Sequence, residues 1–298
     1  MLNRIYYQVT LLGKYQIVGE FIIYLIQKAI RFVFIGLAAI AMLVFFTQLV
    51  PGKNLPFWTQ FFNSLKFDFG ISSCYAPLPV SEVIAEGLAT SLPIIGASIA
   101  LAVIISWLIA KYTVEKKLTA YIILFLMILF SSAPAFGLAD FFRSILMTEW
   151  LGTLIDYFHH RDLYNQILAV FALAVGNCLV IELFRNFRSI REKTMGKQYS
   201  RALVALGMNH ERGSYKNRAL LYITIILSKF PIIIGTAVVV EQALDIGQGI
   251  GFMAYQAAQF RDFYLISGVA IVVVVIVSIN NFILSIINKL VDRRIDQV

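Results

Sequence analysis

The sequence predicts an all-α polytopic membrane protein with six transmembrane helices and a helical segment in one long cytoplasmic loop. Three observations lead there. Of 298 residues, 59% are hydrophobic and 14% charged, with a mean hydropathy of +0.79, whereas a soluble domain is about 45–50% apolar and about 25% charged. Six apolar stretches reach the roughly 20 residues that cross about 30 Å of hydrocarbon. The basic residues alternate in density from one loop to the next. The composition also excludes disorder, and two cysteines, Cys74 and Cys178, cannot build a disulfide framework.

Taken in order, residues 1–30 are expected as a cytoplasmic N-terminal extension. Within it, the apolar run Ile17–Ile30, interrupted by Glu20, Gln27 and Lys28, reads either as an interfacial helix or as the cytoplasmic start of the first span. The run is too long for a cleaved signal, and no small-residue cleavage site follows it. Residues 31–298 form the expected six-helix transmembrane domain, with spans at about 31–50, 91–110, 118–139, 166–184, 219–240 and 264–288. Pro134 in the third span and Pro231 in the fifth are tolerable where neighbours satisfy the freed carbonyls. Two long external loops follow from this register, 51–90 and 140–165. The longest polar stretch on the opposite side is 185–218.

Lys and Arg number 19 in the N-terminal region, the second loop, the fourth loop and the C-terminus, against 5 in the alternate loops, with Lys229 inside a span. That bias places both termini and the 185–218 loop in the cytoplasm. The net charge of +8 is therefore topological and requires no nucleic-acid partner.

The chain shows no chemistry of its own. Gly-Lys pairs occur at Gly13, Gly52 and Gly196, but no glycine stands five residues before them and no Ser or Thr follows, so there is no nucleotide-binding P-loop. His159, His160 and His210 lack the spacing and the cysteine partners of a metal site. No nucleophile elbow or paired catalytic carboxylates are present. The sequence thus predicts neither an enzyme nor a metal centre. Inside the spans the ionisable groups are mainly Lys229 and, near a cytoplasmic end, Glu182. Lys229 has three readings: a contact for an acidic substrate group, a partner for a carboxylate of another subunit, or a lysine facing a wet cavity with its stem packed on apolar neighbours. A secondary transporter or channel acting alone calls for internal repeats or broken spans with mid-membrane charges, and the sequence shows no clear sign of either.

The stretch Tyr199-Ser-Arg-Ala-Leu-Val-Ala-Leu-Gly207-Met-Asn-His-Glu-Arg212 reads as a short helix closed by glycine. Ala202, Leu203, Ala205 and Leu206 give it an apolar stripe, and Arg201 and Arg212 flank it. Such a helix lies on the bilayer or inserts into a groove on a cytosolic partner.

This stretch resembles the cytoplasmic coupling motif, E-A-A-x-x-x-G in general form, of binding-protein-dependent ABC importer permeases. More narrowly it is similar to the peptide/nickel permease version, close to Y-V-R-T-A-R-A-K-G-L. Tyr199, Arg201, Ala205 and Gly207 match, while Leu203, Val204 and Leu206 depart. Tyr24 through Leu49-Val-Pro51-Gly52 resembles that family's first span. Ser132-Ala-Pro134-Ala-Phe136 resembles its S-x-P-x-F. Ala237-Val-Val-Val-Glu241 with Gly249-Ile-Gly251 resembles its A-V-V-V-E-T…P-G-L-G. The likeness runs over about residues 24–296. Departures are Ile225 near the place of the family's fifth-span proline, and Gly247-Gln248-Gly249 in place of W-P-G.

The resemblance implies a type I ABC importer permease in a bacterial cytoplasmic (inner) membrane. Its implied partners are a second homologous permease, two cytosolic ABC ATPases that bind ATP and Mg, an extracytoplasmic solute-binding protein and membrane lipid. No cofactor is implied in this chain. The cytoplasmic helix becomes a coupling helix, with Tyr199, Arg201, Ala202, Ala205, Gly207, Met208 and Arg212 as its docking residues. Pro134, Lys229, Glu241, Gly249 and Gly251 become candidates for the translocation path or gate. For Glu241 and the glycines the alternative is a re-entrant turn, and for Pro134 a static kink. Peptides are the implied substrate. Nickel or other metal chelates, polyamines and antimicrobial peptides are the alternatives within the same machinery, the last two suggested by Phe67-Asp-Phe-Gly70-Ile-Ser-Ser73.

Overall fold

In the computed structural model, residues 2–48, 56–114, 118–146, 161–195 and 210–295 are described. Ten helices are found among them: α1 Leu2–Gln48, α2 Phe57–Leu65, α3 Val80–Val114, α4 Leu118–Ser131, α5 Ala135–Leu146, α6 Arg161–Val175, α7 Leu179–Met195, α8 His210–Ala243, α9 Ile250–Gln259 and α10 Phe263–Ile295. No named strand occurs among the described residues, only an isolated bridge between Ile71 and Pro79.

Four of these helices are long and apolar enough to span a bilayer by themselves, over Ile22–Phe45, Val80–Tyr112, Ala219–Ala243 and Phe263–Leu290. Two bent helix pairs, α4 with α5 at 100° and α6 with α7 at 48°, bring the candidate spans to six where each pair counts as one. Two expectations are corrected here. The third span is not one helix kinked at Pro134 but two helices meeting nearly at a right angle, and the fourth is also broken. The apolar runs carry no clear sign of these breaks, yet both helix pairs are interrupted among the described residues. The first span begins about nine residues earlier than expected, because α1 runs without a break across residue 30. Gln27, Lys28 and Arg31 are carried on a continuing helix.

The surface is apolar outward, as a lipid solvent demands. Phe34 is 72% exposed and Leu118 75%. Inside, one cluster joins α3, α5, α6, α7 and α8 through Ile95, Ala102, Leu138, Ala172, Leu183 and Ala237. Small residues on α6, Ala169 and Ala172, let helices approach closely, as membrane packing favours. Ser106 Oγ on α3 bonds to the Ala102 carbonyl at 2.6 Å and the Val180 carbonyl at 3.0 Å, tying α3 to α7. A second cluster joins α1, the 66–79 loop, α3, α9 and α10 through Val44, Phe69, Val83, Met253 and Leu265. The α1–α10 contact is closed at one end by Tyr24, which donates to the Ser285 carbonyl at 3.1 Å and stacks beneath the ammonium groups of Lys28 and Lys289. The basic residues of the first and last spans thus share one end of the bundle.

Candidate functional site

Turn signals inside two apolar runs shape the bundle's centre. Pro134 has no N–H and disfavours helix in the residue before it, so α4 stops at Ser131 and α5 restarts at Ala135. Between α6 and α7, Gly176 is followed by Asn177 and Cys178 at φ of 53° and 60°, a left-handed conformation that ends a helix. Each break frees backbone groups that hydrocarbon cannot satisfy, and the two breaks satisfy each other. Asn177 N–H donates to the Ala133 carbonyl at 3.3 Å and Cys178 N–H to the Ser131 carbonyl at 3.0 Å. In return Ala135 N–H donates to Asn177 Oδ1 at 3.2 Å. The contact requires glycine, since a Cβ on Gly176 would lie 2.6 Å from Ala135 Cα.

The breaks sit at the middle of their spans, at 132–134 within 124–144 and 176–178 within 163–192. Lys229 reaches the same region from α8. It is ten residues into the span that starts at Ala219, about 15 Å along the helix and so about halfway through the hydrocarbon. Lys229 Nζ is ion-paired with Glu182 Oε2 in the first turn of α7, the two side chains 22% and 45% exposed. The pair borders a cavity walled by Leu173, Asn177, Leu179, Ile232 and Thr236. Within this chain the partner of Lys229 is Glu182.

Glu241, Gly249 and Gly251 come together at the corner between α8 and α9. Glu241 is 1% exposed, and its Oε2 accepts from Gly251 N–H at 2.8 Å. Ile250 N–H donates to Ser91 Oγ at 2.9 Å, so the free donors of the α9 N-terminus meet a carboxylate and a hydroxyl. A Cβ on Gly251 would fall 2.6 Å from Val238 Cα, and one on Gly249 2.6 Å from Glu241 Oε2. This is the geometry of a fastened re-entrant turn. Beside it, Arg143 on α5 donates to the Ala243 carbonyl and to Asp245, both at 2.7 Å.

Asp262 holds the 66–79 loop. Its Oδ1 accepts from Leu265 N–H at 3.1 Å, an N-cap for α10. Its Oδ2 accepts from Ser72 Oγ at 2.7 Å, Ser73 N–H at 2.6 Å and Cys74 N–H at 3.1 Å. Burial alone would raise the pKa of this carboxyl. The donors on Ser72, Leu265, Cys74 and Ser73 outweigh burial and hold it below the usual aspartate value. Tyr75 adds a bond to Gln256 at 2.7 Å, pinning the same loop to α9.

Tyr199, Arg201, Ala202, Ala205, Gly207 and Met208 lie outside the described residues, and Arg212 is on α8 with its side chain undescribed. Pro134 is at the α4–α5 break, near the cavity. Sequence reasoning missed the pairing of Glu182 with Lys229, the Gly176-Asn177 break and the Asp262 clasp. Asp directly before an apolar run was a usable N-cap signal, and Gly-Asn inside one was a usable breaker signal.

Comparison with known proteins adds two results. The family described as "Binding-protein-dependent transport system inner membrane component" matches residues 80–297. The oligopeptide transport system permease protein AppB of Bacillus subtilis (strain 168) is 28% identical over 266 residues, covering 82% of this chain and 82% of that protein.

Proposed function

We propose a transport role from this premise: the chain belongs to the family of binding-protein-dependent transport system inner membrane components. It is a multi-pass permease component of ABC transport rather than an ATPase. Within that role we read it as one of two homologous permease subunits of an importer that takes up peptides. The observation that carries the peptide reading is the 28% identity to an oligopeptide permease across 82% of both chains.

Two cytosolic ATPases bind ATP and Mg, and a solute-binding protein delivers substrate from the far side. Both termini and the 185–218 loop face the cytoplasm, in keeping with the positive-inside bias. Closure of the ATPase dimer moves the helix around Tyr199–Arg212 as a lever. Ala205 and Gly207 permit close groove packing, and Arg201 and Arg212 meet acidic groove edges. Because the loop 196–209 joins α7 to α8 in the sequence, a pull on it shifts the two elements that carry Glu182 and Lys229, and the cavity exchanges access between faces as a two-state rigid-body change.

Broken spans with a mid-membrane ion pair are also what a carrier acting alone would show, and family membership favours the ATP-driven system instead. The test is uptake of labelled tetraalanine by proteoliposomes holding the assembled transporter. Uptake is expected only with ATP on the ATPase side and binding protein on the other. Equal uptake without either overturns the reading in favour of a lone carrier. Uptake of putrescine or a nickel chelate with none of the peptide overturns the substrate assignment. Gly207→Asp is expected to abolish transport and weaken ATPase co-purification while the chain still inserts; unchanged co-purification removes the docking claim.

A further inference from the structure

Two charges at mid-membrane are costly. Pairing Lys229 with Glu182 offsets part of that cost. A purely structural pair would gain most by full enclosure, where the attraction is least screened. This one is open: 22% and 45% of the two side chains remain exposed, on a cavity between α6, α7 and α8. Among the described residues the ion pair is the one polar side-chain contact recorded for either group. The ammonium therefore has two further donors, and the carboxylate a second oxygen, available to the cavity.

The surroundings fit a binding station rather than a strut. The Gly176-Asn177 break lines the cavity of the pair and is hydrogen-bonded to the second break at 132–134. Interrupted helices meeting at the midplane are how membrane transporters expose polar groups to a substrate without exposing backbone to lipid. The cavity measures about 50 Å³, room for one or two waters and so for a terminal charged group rather than a whole solute. Its charge balance is one cation and one anion among Leu173, Leu179 and Ile232. A polyamine would leave its charges unmatched there. A solute with separate anionic and cationic ends would replace both halves of the pair.

We propose that Lys229 and Glu182 form a substrate station inside the membrane that receives the terminal charges of a zwitterionic peptide. Lys229 takes the C-terminal carboxylate and Glu182 takes the N-terminal ammonium, the two ends binding in turn as the peptide passes. The resident ion pair closes the site when no substrate is present, and substrate opens it by exchanging one ion pair for another. The station rests on the peptide reading above and deepens it.

The experiment uses the assembled transporter in proteoliposomes with its binding protein, and three probes: tetraalanine, tetraalanine amide and N-acetyl-tetraalanine. The readout is the ratio of kcat/KM for the free peptide to that for each blocked peptide. Selection by the binding protein is common to every permease variant, so it cancels when ratios are compared. Lys229→Met is expected to lower the free-to-amide ratio about tenfold from wild type, the loss of one charge-assisted contact, and to leave the free-to-acetyl ratio unchanged. Glu182→Gln is expected to do the reverse. Where Lys229→Met does not assemble, Lys229→Gln and Glu182→Gln carry the same test. A variant that loses transport of all three peptides equally, with both ratios as in wild type, overturns the station and leaves the pair structural. Absence of tetraalanine uptake by the wild type is a different result, and sinks the peptide reading itself.

Discussion

Asn280 on α10 donates its side-chain amide N–H to the Leu227 carbonyl on α8 at 3.0 Å. Leu227 is four residues before Pro231, so its carbonyl is the acceptor that a proline leaves without an intrahelical donor. α8 nevertheless runs unbroken from His210 to Ala243. A residue 53 positions away supplies the bond the helix cannot make for itself, and it is 5% exposed where it does so. Lys229 stands between Leu227 and Pro231, so the same contact fixes the turn that presents the ammonium to the cavity.

That relationship predicts a coupling. Asn280→Leu should destabilise the assembled protein by about 1 kcal/mol, the scale of a hydrogen bond between membrane helices. In a Pro231→Ala background, which restores the N–H, the same change should cost close to nothing. Thermal unfolding in detergent of the two single variants and the double variant reads the interaction term. Strictly additive effects would mean the amide contact is incidental to the proline.

Gly176 tests whether the two helix breaks belong together. A methyl group there meets Ala135 Cα and the Ala172 carbonyl, each at 2.6 Å, and backbone atoms have no rotamer by which to move aside. Gly176→Ala should lower stability by about 1–3 kcal/mol through overpacking, and Gly176→Val by more. Ala135→Gly should fail to rescue it, because the clashing Cα and carbonyl remain. Rescue by that change would show the contact to be a side-chain collision only.

Much of the bundle was legible. Segments of about 20 apolar residues identify candidate spans by length alone, and Lys28 and Lys289 meet over Tyr24 at one end of the α1–α10 contact. The breaks were harder to read. One asparagine and one proline barely change the hydropathy of 166–184 or 118–139. Whether either ends a helix depends on a partner to take up the freed groups, here 42 residues away between Ala135 and Asn177. The Lys229–Glu182 pair escaped for the same reason: each charge was visible, but their meeting depends on how α7 turns after Gly176. At the α8–α9 corner the motif itself was read, and the structure added that Glu241 turns inward to the backbone of Gly251.

Asp262 gives a pH dependence of definite sign. Its carboxyl sits below the ordinary aspartate range in the folded protein, so it contributes stability that is fully present above the unfolded-state value, near 3.9. The contribution is lost as pH falls through the lower folded-state value. Asp262→Asn should lose about 1–3 kcal/mol at pH 7, where a charged acceptor of four donors becomes a neutral amide. Below about pH 4 the difference from wild type should shrink. Melting temperatures of both proteins across that range check it, and a gap that stays constant would remove the ionised carboxylate from the account.

Cys74 reports on the same clasp from its other side. Burial raises the pKa of this thiol, and the charge on Asp262 raises it further, so near neutrality it stays protonated and reacts slowly with maleimides, whose double bond is attacked by the thiolate. Asp262→Asn removes the repelling charge and loosens the loop that holds Cys74 N–H, and both effects point to faster labelling. A severalfold rate increase at pH 7.5 is expected. The proposed topology adds a vectorial requirement, because Cys74 is in the loop assigned to the outer face. A membrane-impermeant maleimide added outside intact cells should label it without permeabilisation, with Cys74→Ser as the blank. Labelling that appears only after the membrane is opened would invert the assigned orientation. An unchanged rate in Asp262→Asn would instead show that enclosure alone protects the thiol.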